Sequence, residues 1–271
     1  MKISKIKLAD YYDLKTEAFL NIIQPTELLD RGTLENLPVL LICPGGGYGM
    51  VSKREGEPVA LEFLARGYVT AILNYSTITN EKESHYPMQL HELMAAMDYL
   101  ANNHAEYGLD PDKIFVMGFS AGGHLACNLG VDYQNYLEQY KIKIKGICLC
   151  YPVISSEFGL SGNTYINLLN SYQADEKNAL MKTLSFNHAN LEEFPPTFIW
   201  TTNTDKLVSP LNSVSFVENM IKHQRHCEFH MFPIGPHGLS TCSELINDSI
   251  QQLNQVAQWI DMCDRFFKSL L

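Results

Sequence analysis

The run Ile114-Phe115-Val116-Met117-Gly118-Phe119-Ser120-Ala121-Gly122-Gly123-His124 constrains this chain more than any other segment. An apolar, strand-like stretch meets a serine with glycines two positions to either side, and a small-residue helix follows. This is the strand–tight turn–helix setting of a nucleophile elbow. The turn strains the serine backbone and lifts its hydroxyl clear of the sheet. Gly118 and Gly122 are needed because a side chain at either position would crowd that turn.

An elbow calls for three further parts in a fixed chain order. The first is an early loop of oxyanion donors. The apolar strand candidate Val39–Cys43 runs into Pro44-Gly45-Gly46-Gly47-Tyr48-Gly49. Consecutive glycines let backbone N–H groups approach a developing negative charge without obstruction. Gly46 and Gly47 are therefore candidate donors, with the N–H of Ala121 as another. A phosphate cradle would need the glycines to open a helix directly, often with a Gly-Lys-Ser/Thr ending. Here Met50-Val51-Ser52-Lys53-Arg54 intervenes. The acid follows a later strand: the β-rich run Thr197–Thr201, after Pro195-Pro196, ends in Thr202-Asn203-Thr204-Asp205. The base comes last, where Cys227–Phe232 ends in Pro233-Ile234-Gly235-Pro236-His237-Gly238. Ser120, Asp205 and His237 thus stand in the order nucleophile, acid, base. Two plainer readings compete: Asp205 as the cap of a Leu211–Ile221 helix, and His237 as a solvated loop residue. In the catalytic reading His237 takes the Ser120 proton as the hydroxyl attacks an acyl carbon, and Asp205 holds the imidazole tautomer. That chemistry requires no metal and no organic cofactor.

The joined motifs Pro44-Gly-Gly-Gly-Tyr48, Gly118-Phe-Ser-Ala-Gly-Gly-His-Leu-Ala126, Asp205 and Pro236-His-Gly238 resemble the esterase/lipase branch of the α/β-hydrolases. Within it, the chain is most similar to bacterial acetyl-xylan-esterase-like and feruloyl-esterase-like proteins, often labelled sugar-ester hydrolases. The resemblance runs from about Pro38 to the C-terminal helix. It implies a serine carboxylesterase removing short acyl groups, acetyl above all, from a sugar or related alcohol. One departure is visible: hormone-sensitive-lipase-like relatives carry His-Gly-Gly-Gly, and this chain has Pro44 before its glycines. The donors are backbone groups, so the hole survives, but other side chains must brace the loop.

The remaining pattern predicts an α/β fold in one domain over residues 1–271, with a mostly parallel central sheet covered by helices on both faces. Val69–Tyr75 and Gly146–Val153 are nearly continuous apolar runs, as strands buried on both faces require. Helices are predicted over Glu57–Ala65, Pro87–His104 and Ser243–Leu271, the last with Leu245, Ile250, Leu253, Val256, Ile260 and Phe266 on one face. Lys2–Leu8 and Ala18–Ile23 are candidate antiparallel edge strands. Residues 155–191 break the alternation where a small cap insertion is expected; plain packing on the sheet is the equal alternative. Phe158, Tyr165, Leu168, Leu169 and Tyr172 give it an apolar content suited to lining a pocket. Tyr48, Phe119 and Tyr172 are the candidate substrate-pocket residues. A cap this short leaves an open site, which favours short acyl groups on a bulky alcohol.

Several residues take the plainer reading. His223, His226 and His230 have ligand-like spacing, but they straddle a helix end and a strand, so no metal site is expected. Cys148 and Cys150 share a face of a buried strand and read as core thiols. His124, one helical turn past Ser120, reads as a structural hydrogen-bonding residue rather than the base.

Composition excludes several classes. With 46% hydrophobic and 18% charged residues the chain has material for a core. The formal charge of −10 argues against nucleic acid or anionic membrane as a partner. A small-molecule ester is the expected partner; the sequence leaves a homo-oligomer open. Seven scattered cysteines do not form a disulfide framework. Met1–Lys7 lacks the apolar run of a secretory signal, and no apolar stretch approaches the roughly 20 residues of a membrane span. A cytoplasmic location is the expectation. A prolyl-oligopeptidase-type peptidase shares the triad order but usually carries a large propeller for which there is no length. A non-catalytic binding module normally lacks part of the triad.

Overall fold

The apolar runs become the inner strands of one eight-stranded sheet in the computed structural model, which describes residues 1–25, 35–80, 84–159, 162–244, 246–247 and 254–271. The strands are β1 (Lys2–Lys7), β2 (Phe19–Gln24), β3 (Leu37–Cys43), β4 (Val69–Asn74), β5 (Leu109–Phe119), β6 (Gly146–Cys150), β7 (Thr197–Thr202) and β8 (Cys227–Phe232). Their spatial order is β1-β2-β4-β3-β5-β6-β7-β8. β2 pairs antiparallel with β1 and with β4, and every pairing from β4 to β8 is parallel. The helices are α1 (Glu57–Leu64), α2 (Met88–Asn102), α3 (His104–Tyr107), α4 (Ala121–Asp132), α5 (Thr164–Leu168), α6 (Ala174–Thr183), α7 (Leu211–Lys222), α8 (Asn254–Ala257) and α9 (Trp259–Ser269).

Side chains alternate across a strand, so a strand buried on both faces feeds two cores. Along β3, Val39, Leu41 and Cys43 join the core under α2, α4 and α7. Leu40 and Ile42 join the opposite core, under α1 and α9. Both layers bury aromatic residues; Trp200 of β7 stacks on Trp259 of α9 at 5.1 Å between ring centroids.

Three expectations change. The Pro87–His104 helix stops at Asn102, and α3 follows as a separate turn closed by left-handed Gly108 (φ 64°). The strand expected over Gly146–Val153 ends at Cys150, because Tyr151 turns the chain with φ 37°. The long C-terminal helix is absent from its described N-terminal part. Asn247 there closes a single turn, its N–H donating to Ser243 O, while its side-chain amide donates to Leu239 O; the described helices beyond it are α8 and α9. Leu245, Ile250 and Leu253 lie outside the described residues.

The segment 155–191 holds α5 and α6, and none of Phe158, Tyr165, Leu168, Leu169 and Tyr172 borders the cavity at Ser120. Tyr165, Leu168 and Leu169 fall on the inward face of α5 and its C-terminal turn and are buried in the core. Four-residue spacing puts Asn163 and Asn167 on the other side, where they border the cavity described next.

Candidate active site

The four loops that matter follow the C-terminal ends of β3, β5, β7 and β8, on one edge of the sheet, where ligands of open α/β sheets bind. β7 and β8 are direct neighbours, so the acid and base loops emerge side by side.

Ser120 sits between β5 and α4 with φ 53° and ψ −115°, a conformation costly for a residue with a Cβ. Hydrogen bonds over-determine it. Its N–H donates to Cys150 O at 3.0 Å, and its carbonyl accepts from His124 N and Val153 N, each at 3.1 Å. The glycines allow the crossing to be tight: a Cβ on Gly118 would lie 2.2 Å from Gly122 O, and one on Gly122 only 2.0 Å from Cys43 O.

His237 comes to this serine from 117 residues away, its Nε2 2.8 Å from Ser120 Oγ. Its Nδ1 lies 2.6 Å from Asp205 Oδ2. A carboxylate can only accept, so Nδ1–H donates to Asp205 and Nε2 is left to accept the serine proton. The Asp205 carboxylate is itself held: Oδ1 accepts from Leu207 N at 2.9 Å and Val208 N at 3.0 Å. That oxygen organises the turn at Leu207 and Val208, and it does not cap α7. Pro210 is the residue that caps α7.

Gly46 and Gly47 border the same cavity as Ser120 and His237, a space of about 690 Å³. Gly46 has φ 123°, and a Cβ there would strike Met50 O at 2.0 Å. Ala121 opens α4, so its N–H is among those a helix start leaves without an intrahelical acceptor, at the positive end of the helix dipole. With Pro44 ahead of the glycines, other side chains brace the loop. Tyr75 Oη donates to Pro44 O (2.6 Å), Gly45 N–H donates to Glu55 Oε2 (2.8 Å), and Asn167 Nδ2 donates to Gly47 O (2.8 Å).

Glu55 and Tyr151 were not legible beforehand. The buried Glu55 carboxylate also accepts from Tyr151 Oη at 2.7 Å, and that phenol oxygen accepts from Ser240 N at 3.0 Å. The Tyr151 ring meets the His237 ring edge-to-face at 5.0 Å. Burial, then the Glu55 charge, push the Tyr151 phenol far above its ordinary range, so it stays a neutral donor. One acid therefore joins the glycine loop to the group that backs the histidine. The only hint in the sequence is an acidic residue ahead of an apolar helix.

The three pocket candidates lie elsewhere. Phe119 is fully buried against Tyr151 and Trp259, because the elbow turns its side chain into the core. Tyr48 is buried and its Oη lies 3.0 Å from His124 Nδ1. Tyr172 packs edge-on to His85 and donates to Tyr86 O. His124 is a buried structural residue: Nε2–H donates to Leu184 O, so Nδ1 accepts from Tyr48. Burial lowers its pKa to about 4. His223, His226 and His230 meet separate partners, namely Asn219 O, the Phe266 ring and Glu228. The Cys148 and Cys150 sulfurs lie 3.5 Å apart inside the core.

A family model, BD-FAE, matches residues 28–220. The chain belongs to the BD-FAE family. Its fold is that of the α/β-hydrolases, as the solved relatives agree. The BD-FAE chain superposes on the carboxylesterase Cest-2923 of Lactobacillus plantarum with a TM-score of 0.84 and 27% identity, over 100% of this chain and 99% of that one. An acetyl ester-xyloside bifunctional hydrolase of Caldicellulosiruptor lactoaceticus gives 0.80 and 30%, over 98% and 96%. Endo-1,4-beta-xylanase B of Butyrivibrio fibrisolvens is 30% identical over 76% of this chain but 33% of its own length, so the BD-FAE chain spans about a third of that relative. Among the described residues, no helix is long and apolar enough to cross a membrane.

Proposed function

We propose that this protein is a serine carboxylesterase, with Ser120 as nucleophile, His237 as general base and acid, and Asp205 as the group that orients it. The observation that carries the proposal is the unbroken chain of hydrogen bonds from Ser120 Oγ through His237 to Asp205. Ser120 Oγ attacks the acyl carbon while its proton passes to His237 Nε2. The carbonyl oxygen becomes an oxyanion facing the N–H groups of Gly46, Gly47 and Ala121, each such donor being worth about 3–4 kcal/mol. Asp205 stabilises the imidazolium without taking its proton. The tetrahedral intermediate collapses, the C–O bond breaks, and the departing alkoxide takes the proton from Nε2. Water then repeats the sequence on the acyl-enzyme, and Ser120 recovers its proton.

For the substrate we propose a short acyl ester, acetyl foremost, of a sugar or related alcohol. Support comes from the relatives named for xyloside and xylan chemistry and from an open cavity walled partly by glycine. The seven free cysteines fit a reducing compartment, and a cytoplasmic place of action goes with this proposal. The intact hydrogen-bonded triad speaks against a binding module.

The test is hydrolysis of p-nitrophenyl acetate, butyrate and octanoate by wild type and Ser120→Ala. The expected result is acetate turnover that falls with chain length and is lost in the variant. No turnover of any ester by folded wild type, or full activity in Ser120→Ala, contradicts the proposal.

A further inference from the structure

The cavity in front of the nucleophile carries a basic side chain on its wall. The whole chain carries 30 acidic and 20 basic residues. The space in front of Ser120 is nevertheless bordered by Arg54. An adjoining cleft of about 810 Å³ shares Leu207 and His237 with it and is bordered by Lys206. Among the described residues, no carboxylate lies within ion-pair distance of Arg54 or Lys206. Glu55 borders the first cavity too, but it is buried and its two oxygens are turned to Gly45 N–H and Tyr151 Oη, so it keeps its charge behind the wall while Arg54 is the exposed charged group.

Arg54 is also fixed in place. Its Nη2 donates to Gly238 O at 2.9 Å and to Asn247 Oδ1 at 2.8 Å. Both acceptors are uncharged, so the guanidinium is positioned without being neutralised. Its Nε–H and Nη1 donors have no partner among the described residues. Such an arrangement leaves the guanidinium a free donor for one charge-assisted hydrogen bond to an anion. Holding the side chain beforehand spares part of the ordering cost on binding.

The position assigns the part of the ester that would be read. Gly238 follows His237, the residue that hands its proton to the departing oxygen. The leaving alcohol therefore sits on the His237 side, beside Arg54 and next to the Lys206 cleft. We infer that Arg54 is a specificity-determining residue that selects esters whose alcohol portion carries a carboxylate, such as a sugar acid or another hydroxy acid. This inference rests on the esterase reading above and narrows its substrate class.

The test compares 4-acetoxybenzoate with 4-acetoxybenzamide, which share an acyl group and differ in the charge of the leaving alcohol. Each kcat/KM is divided by the uncatalysed hydrolysis rate. Wild type is expected to favour the carboxylate by about ten-fold at low salt, as one charge-assisted contact allows. That ratio falls as NaCl rises from about 20 to about 500 mM. In Arg54→Gln the ratio drops to about one, and Arg54→Lys lies between. A ratio within one variant cancels any general loss of activity. A wild-type ratio of one or less, or the same ratio in Arg54→Gln, overturns the inference while ester turnover leaves the esterase reading standing. Should Arg54→Gln fail to fold, a wild-type ratio that does not respond to salt overturns it. If wild type cleaves neither probe nor p-nitrophenyl acetate, the esterase reading fails and this inference falls with it.

Discussion

Asp205 divides its work between two oxygens, and that division makes the triad testable residue by residue. Oδ1 holds the turn at Leu207 and Val208, and Oδ2 meets His237. Asp205→Asn can keep an oxygen in the Oδ1 position but puts an amide donor against Nδ1–H. We expect kcat on p-nitrophenyl acetate to fall about 10⁴-fold while the thermal midpoint stays within a few degrees. Equal losses of activity and midpoint would make Asp205 a structural residue only. Tyr151 gives the opposite case. Tyr151→Phe strands the buried Glu55 Oε1 and the Ser240 N–H, costing about 2–4 kcal/mol and lowering Tm by roughly 5–10 °C, read by thermal unfolding. Ser120, Asp205 and His237 were legible because chain order and loop position alone identify them. Glu55 and Tyr151 were not, since their link spans 96 residues and leaves no local pattern.

At the scale of elements, the elbow is a close crossing of strand and helix rather than a flexible turn. Gly122→Ala would press a methyl group to within 2.0 Å of Cys43 O, a backbone atom of the central strand β3. The expected cost is at least about 3 kcal/mol, measured by urea unfolding; a variant as stable as wild type would show that the crossing can relax. Periodicity revealed the elements wherever burial enforces it. β4, β7 and β8 match their predicted spans to within one residue, and α7 differs from its own by one position. It failed where apolar spacing alone had to decide an end. Ser243, Glu244, Ile246 and Asn247 fall in the predicted helix, yet they make only a turn, with the Asn247 side chain tied back to Leu239 O. In α5 the sequence identifies the apolar residues but leaves pocket lining and core packing as equal alternatives, and the structure packs them in the core. A sequence shows that a face will be buried, and not whether core or ligand buries it.

For the molecule as a whole, the fully buried His124 makes stability depend on pH. Unfolded, it binds a proton near the ordinary 6.5; folded, burial holds it to about 4. The unfolded chain thus binds more protons between those values, and stability falls as pH drops through that window. The loss is about 3 kcal/mol once pH 4 is reached. His124→Gln should be less stable at pH 7 yet show a shallower slope from pH 6.5 to 4 in urea unfolding, and parallel slopes would contradict this. The sheet order explains why one edge can hold the whole site: four loops, with Arg54 of the first lying 184 residues from Gly238 of the last, meet because β3, β5, β7 and β8 run parallel. The central claim is that Ser120 becomes covalently acylated with His237 as its base. The most direct measurement is peptide mass mapping after treatment with diethyl p-nitrophenyl phosphate, on wild type and His237→Ala. The account predicts one diethylphosphoryl group, on Ser120, formed in step with loss of esterase activity and far more slowly in His237→Ala. Full loss of activity with Ser120 unmodified, or labelling that ignores His237, would contradict it.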